Sequence, residues 1–293
     1  MAGKPKAERA GHSISVVIPA YNEAATVGDI ISRIRKIGPD FEIIVVDDGS
    51  VDDTSKVAMD AGAKVLTAPY NVGNGASVRR GILESTGDVV VMMDCDGQHP
   101  PEEIPNLLCL LDKYEMAIGA RTSKGNTSDF RKVGNWALIK VAEWISGHKI
   151  LDLTSGFRAM RKESLMRYLR LFPNRYSYPT TITLAFLMDA RFVTYVPMDS
   201  IQRRAHGESN IRPMSDFFRF VAIIFRILML FNPKRLFVPL SSILMLASIL
   251  IGGWQYWNTG GVQSAGLGLF MSSVIVACFG LIADQVAMVQ RKL

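Results

Sequence analysis

Asp94 and Asp96 stand one residue apart at the end of an apolar run, in the stretch VVVMMDCDGQHPP of residues 89–101. In an extended segment, residues i and i+2 face the same way, so both carboxylates can reach one point beyond the strand. Hard divalent cations such as Mg2+ or Mn2+ take oxygen ligands and borrow more of them from substrate phosphates. Gln98 offers a further carbonyl oxygen two residues on. An Asp-x-Asp alone is also an ordinary polar turn with a helix cap, so its position in the fold decides its meaning. Two other polar clusters, PAYNE at residues 19–23 and DDGS at residues 47–50, also close apolar runs.

The elements that must position these clusters alternate. Strands are expected at residues 13–19, 42–47, 64–67 and 88–94, with helices at 24–36, 54–61 and 75–85 between them. Continuous β-branched runs indicate strands buried on both faces, as in a parallel sheet. The alternation implies an α/β, Rossmann-like, mostly parallel sheet flanked by helices. Ligands of such sheets collect beyond the carboxyl ends of the strands. Residues 19–23, 47–48 and 94–96 all fall there. Farther on, helices are expected at 104–114 and 130–146, and strands at 116–121 and 191–197.

The C-terminal fifth has a different character. Residues 215–231 are apolar except for Asp216, Arg219 and Arg226, which share one stripe at helical spacing. An amphipathic helix in the membrane interface is expected, with a core helix as the alternative. Residues 237–257 and 265–283 are two uncharged runs long enough to span a bilayer. Trp254, Tyr256 and Trp257 sit where an aromatic belt belongs. Positive charges flank the hairpin at its outer ends and are missing from its loop, so both termini and the N-terminal domain are expected in the cytoplasm. Asp284, near a span end, is expected to be a solvated boundary residue. The domain plan is a polar tail (1–12), a catalytic domain (13–211), a juxtamembrane helix (212–234) and a two-span hairpin (235–293).

Net charge is +6, and the basic excess crowds against the apolar helices. Anionic membrane lipid fits that pattern, and no nucleic-acid module is present. Three cysteines without CxxC spacing argue against a disulfide framework or a zinc site. The polar N-terminus has no apolar core, so no signal peptide is expected.

The segments VVIPAYNEAATV, EIIVVDDGSVDDT, NVGNGASVRRG and DCDGQHPPE resemble, in order and spacing, family 2 glycosyltransferases with the GT-A fold. The resemblance is strong over residues 13–121 and looser to residue 210. The membrane hairpin makes the chain similar to the polyprenyl-phosphate glycosyltransferases, which include dolichol-phosphate mannose synthases and undecaprenyl-phosphate glucosyltransferases. It implies a membrane-bound, inverting transfer of one sugar from a nucleotide-sugar, of the UDP-glucose or GDP-mannose type, to undecaprenyl or dolichyl phosphate.

By that resemblance Pro19, Tyr21 and Glu23 line the nucleoside pocket, although Glu23 would also favour a helix N-terminus. Asp48 bonds the base or ribose, or else makes an Asx turn. Gly73 and Gly75 allow close approach of the donor, and Arg204 lies near its diphosphate. Asp94, Asp96 and Gln98 hold the Mg2+ or Mn2+. Arg121, with Arg131 and Asn135, receives the acceptor phosphate. Asp152, just before TSGFR (residues 154–158), sits where some relatives place a base. A phosphate acceptor is already ionised at neutral pH, so Asp152 can instead orient an arginine. The chain departs from the family at Asn74, where many relatives carry lysine, and at Cys95 and Gly97. His99 is expected to be structural. Self-association is left open.

Other readings fit less well. A processive polysaccharide synthase would carry QxxRW and several pore helices, where this chain has QRRAH and two spans. A nucleotidyltransferase would need a Gly-rich N-terminal loop, and a dinucleotide oxidoreductase a GxGxxG after the first strand. A transferase of the same fold with another lipid or polysaccharide acceptor, or a non-catalytic membrane-anchored nucleotide-binding module, remains as the alternative.

Overall fold

The computed structural model describes residues 12–121, 129–174, 177–198, 213–261 and 264–292. The chain forms two compact units, residues 1–220 and 221–293.

The first unit opens with β1 (Ile14–Ala20), α1 (Val27–Ile37), β2 (Glu42–Asp47), α2 (Thr54–Asp60), β3 (Lys64–Thr67), α3 (Asn74–Glu84) and β4 (Val89–Met92). It continues with α4 (Ile104–Leu108), β5 (Met116–Arg121), α5 (Asp129–Ser146), β6 (Arg158–Arg161), α6 (Lys162–Tyr168), α7 (Tyr178–Met188) and β7 (Val193–Met198). The seven strands among the described residues make one sheet in the order β3-β2-β1-β4-β6-β5-β7. β1 pairs in parallel with β2 and β4, β2 with β3, and β5 with β7. Among the described strands, β6 alone runs antiparallel, between β4 and β5.

Of the expected strands, β1, β2 and β4 are buried, whereas β3 is partly buried in its middle and exposed at both ends. Residues 16–20 of β1 and all of β4 are buried. α1 covers the sheet with Val27, Ile30, Ile31 and Ile34, an i, i+3, i+4, i+7 stripe. Each such side chain contributes about 2 kcal/mol of apolar burial. α3 lies close to the sheet because Gly81 has no side chain: a Cβ there would overlap Val17 Cγ1 and lie 3.0 Å from Val46 Cγ2.

β6, α6 and α7 were not foreseen. RAMR, the sequence of β6, reads as polar, yet residues 158–160 are buried. α7 is buried on every side and therefore carries no amphipathic period. The expected helix at 104–114 is shorter, ending at Leu108.

α8 (Pro213–Phe231) runs across the division between the units. In its part beyond residue 220, Ile224, Ile227, Leu228 and Phe231 are buried, while Val221, Phe225 and Arg226 are exposed. The second unit continues with α9 (Lys234–Thr259) and α10 (Ser264–Lys292), both long and apolar enough to cross a membrane. Small residues let them approach closely. A Cβ on Gly266 would lie 2.9 Å from Gly252 Cα. Ser248 Oγ donates to the Gly266 carbonyl at 2.8 Å, and Ser273 Oγ to that of Ser241 at 2.9 Å. Trp254, Tyr256 and Trp257 are exposed, as belt residues would be. Asp284 departs from expectation. It is buried, not solvated, and Lys234 Nζ lies 2.7 Å from its carboxylate, because the antiparallel hairpin brings the two ends together.

Candidate active site

The carboxyl ends of β1, β2 and β4 lie on one sheet edge, since Ala20 aligns with Asp47 and Val17 with Met92. β5 ends there too, at Arg121. β6 is antiparallel, so its beginning faces this edge: Arg158 pairs with both Met92 and Ile118. The turn of residues 152–157 therefore enters the site from the other side.

The first two strand ends are tied to each other. Asn22 adopts a left-handed conformation (φ 56°), which asparagine tolerates better than most residues. Its backbone N–H donates to Ser50 Oγ at 2.9 Å, and its side-chain oxygen accepts from Val51 N–H at 2.9 Å. Glu23 N–H donates to Thr54 Oγ1 at 2.9 Å. Thr26 Oγ1 donates within reach of Glu23 Oε2 (3.0 Å) and the Cys95 carbonyl (2.9 Å), linking PAYNE to the Asp-x-Asp segment. Pro19 is buried, Glu23 is partly buried and Tyr21 is exposed.

Asp47 serves the turn: its oxygens accept from Ser50 N–H (2.8 Å) and the Ser55 hydroxyl. Asp48 accepts from Val72 N–H at 2.8 Å and Gly73 N–H at 2.9 Å, fixing the loop that starts α3 and the buried Gly75. The Asx-turn alternative thus belongs to Asp47, whereas Asp48 clamps a neighbouring loop. Gly49 is required directly after them. Its φ is +76°, and a Cβ would lie 2.6 Å from the Tyr70 backbone.

Asp94 rests against Gly156. A Cβ on Gly156 would come within 2.7 Å of Asp94 Cγ and closer still to Oδ2. Burial and the neighbouring Asp96 raise the Asp94 pKa to about 6, outweighing a hydrogen bond from Asn74 and the charges of Arg158 and Arg121. Asp96 accepts from Gln98 N–H at 3.1 Å, which curls the segment. Gln98 itself is partly buried. His99 packs on Phe157 with ring centroids 5.3 Å apart. Burial lowers its pKa to about 4 against the pull of Asp96, so the ring is neutral, as a structural residue would be.

Across the site, Arg121 meets Asp152 in a bidentate pair, Nε to Oδ2 at 2.7 Å and Nη2 to Oδ1 at 3.0 Å, and Nη2 also donates to Thr154 Oγ1. Asp152 is buried, while the Arg121 side chain is 38% exposed. Asp152 also accepts from Thr154 N–H (2.9 Å), Ser155 N–H (3.1 Å) and Arg121 N–H (3.3 Å). Burial opposes its charge, yet Arg121 and these amides hold its carboxyl below the usual range. A carboxylate so engaged is a poor base. Of the two roles weighed for Asp152, orienting Arg121 fits this geometry.

Arg204 lies outside the described residues. Arg131 and Asn135 fall in α5, with side chains outside the described set. Among the described residues, no cluster of three or more His, Cys, Asp or Glu is built to hold a metal. Thr26, Gly156 and the buried Arg158 were given no role from sequence. TSGFR was the signal that could have pointed to the last two.

Paired strand-end carboxylates facing an aimed arginine, on an open α/β sheet, are the arrangement of a GT-A-type transferase. A Glycosyl transferase family 2 match spans residues 15–169, and a GtrB C-terminal hairpin match spans 232–289. The chain belongs to glycosyl transferase family 2 and, with its hairpin, is a membrane glycosyltransferase. It is 34% identical over 271 residues to a dolichol-phosphate mannosyltransferase of Pyrococcus furiosus, covering 84% of this chain and 73% of that protein. It is 30% identical over 216 residues to an undecaprenyl-phosphate 4-deoxy-4-formamido-L-arabinose transferase of Pseudomonas fluorescens, covering 69% of this chain and 61% of that one. Among solved structures it is similar to glucosyl-3-phosphoglycerate synthase from Mycobacterium tuberculosis in complex with Mn2+, UDP-glucose and phosphoglyceric acid. The TM-score is 0.59 at 25% identity, covering 76% of this chain and 81% of that one.

Gly156→Ala must displace Asp94, because the new methyl occupies the space of its carboxylate. Glycosyl transfer is expected to fall by about 100-fold, the effect of misplacing a reacting group by an ångström. The thermal midpoint should move by only about 5 °C. Initial rates beside a melting curve of the purified variant check this.

Proposed function

We propose that this enzyme transfers one sugar from a nucleotide-sugar to a polyprenyl phosphate at the cytoplasmic membrane face, with inversion at the anomeric carbon. The observation that carries it is the placing of Asp94, Asp96 and the Asp152-held Arg121 on one sheet edge, in a chain with a hairpin long and apolar enough to cross a membrane. The named relatives act on dolichol phosphate and undecaprenyl phosphate, which supports the acceptor class. The proposed division is a catalytic domain at 13–211, a juxtamembrane helix at 212–234 and a hairpin at 235–293.

The donor nucleoside occupies the edge formed by Pro19, Tyr21, Glu23, Asp48 and Gly75. Asp94, Asp96 and the Gln98 carbonyl would hold a divalent cation. Their fit is supported by oxygen-only donors and by a carboxyl raised to about 6 beside a second carboxylate, a repulsion that a cation relieves. A bound ion would supply positive charge to offset the donor diphosphate. Mg2+ and Mn2+ both suit this set, and the similar Mn2+-bound structure favours manganese as the first test. Arg121 presents its guanidinium to the acceptor phosphate, held in aim by Asp152, and Arg131 with Asn135 completes the acceptor side. Arg204 serves the diphosphate. The acceptor oxygen is already ionised, so no protein group need take its proton. A membrane panel of labelled nucleotide-sugars with a polyprenyl phosphate tests the whole proposal. Absence of any lipid-linked sugar would refute it.

Chelation by EDTA should abolish transfer, and Asp96→Asn should lower turnover by at least about 100-fold. Near-normal turnover of that variant in EDTA would refute the metal role.

Arg121→Ala should greatly reduce transfer over a range of acceptor concentrations while nucleotide-sugar affinity, measured by titration, changes little. The acceptor charge loses its guanidinium partner, and the donor edge is untouched. Lost donor affinity with unchanged acceptor dependence would move Arg121 to the donor side.

Thr259 is exposed at the end of α9. With a cytoplasmic catalytic domain, Thr259→Cys should react with an impermeant thiol reagent on intact cells. Labelling only after lysis would reverse the topology.

A further inference from the structure

Arg158 is fully buried, at 0% exposure, at the start of β6. A buried cation is costly unless a carboxylate pairs with it. Among the described residues none lies within ion-pair distance of Arg158. Its Nη1 donates to the Pro179 carbonyl (3.1 Å) and Thr183 Oγ1 (3.1 Å) on α7, and its Nη2 donates to the Ser155 carbonyl. Its Nε has no partner. An apolar side chain of similar volume would fill this core position at lower cost. The charge therefore points to what the guanidinium holds.

It holds the turn of residues 152–157. That turn carries both supports of the site: Asp152, which aims Arg121, and Gly156, against which Asp94 rests. Ser155 stands between them. The planar fork spans from the Ser155 carbonyl to α7, so it fixes Asp152 and Gly156 together. Asp94 and Asp152 are also the carboxylates that its charge reaches.

We propose that Arg158 is a positioning residue that acts through Ser155 on both the metal side and the acceptor side of the transfer site. This rests on the glycosyl-transfer reading given above. Arg158 touches neither substrate and takes no proton. Lysine cannot replace it, because a single ammonium does not bridge a carbonyl on the turn and two acceptors on α7.

The test uses the full-length protein in detergent, as wild type, Arg158→Met and Arg158→Lys. Binding of Mn2+ alone is titrated by the loss of its free-ion paramagnetic resonance signal, and KM for polyprenyl phosphate is measured separately. Arg158→Met is expected to weaken Mn2+ binding and raise acceptor KM, each by about tenfold or more, the scale of losing an outer support of a metal site. Its thermal midpoint should stay within about 5 °C of wild type. Arg158→Lys should fall short of wild type in both binding readouts. Folded Arg158→Met with wild-type Mn2+ affinity and acceptor KM would overturn the proposal, and so would a change in only one of them. If Arg158→Met does not fold, Thr183→Val decides. A smaller shift in the same two quantities supports the proposal, and wild-type values in both overturn it. Should the wild type transfer sugar to a different acceptor, the acceptor assignment fails by itself. The Mn2+ titration and the KM for that acceptor then test Arg158.

Discussion

Two carboxylates held one residue apart at a half-dry strand end repel each other, and the catalytic unit is arranged around that repulsion. The Asp94 carboxylate lies in the space that a side chain at Gly156 would fill. Asp96 is turned by its bond from the Gln98 amide. Burial and proximity leave Asp94 easier to protonate than an ordinary aspartate, so the site favours any cation that can sit between the two. Asn74 and the turn at Gly156 support Asp94, and Arg121 and Arg158 act on it through charge without direct contact.

That arrangement needs a turn on the far side of the carboxylates, and the antiparallel β6 supplies it. A parallel strand in its place would end at this edge and begin at the other. Because β6 runs the opposite way, its first residue pairs with Met92 and Ile118, and the preceding turn faces Asp94 on one flank and Arg121 on the other. One short segment thus supports Asp94 through Gly156 and Arg121 through Asp152, the proposed metal and acceptor sides. Coupling between the two sides has a covalent route only a few residues long.

The hairpin follows different physics. In lipid there is little hydrophobic drive between helices, so close packing and internal hydrogen bonds hold them. Gly252 against Gly266, and the serine hydroxyls on carbonyls of the facing helix, provide both. Lys234 and Asp284 meet where the helices end, so neither charge enters the apolar stretch unpaired.

Much of this was legible in the sequence. Strands β1, β2 and β4 are unbroken apolar runs, and such runs have few alternatives to burial in a parallel sheet. The polar clusters at their ends were therefore placed correctly on one edge, and two uncharged runs of bilayer length sufficed for α9 and α10. Tertiary structure decided the rest. RAMR has no apolar period, and Arg158 is buried where the Ser155 carbonyl meets a carbonyl and a hydroxyl brought by the distant α7. α7 is enclosed on every side, which erases the one-sided pattern by which a helix is read. Asp152 offered two roles on paper. The partners at its oxygens distinguish a base from an orienter, and Arg121 lies 31 residues away in the chain. Local sequence encodes which segments must leave water, whereas contacts between distant segments determine what each buried polar group holds.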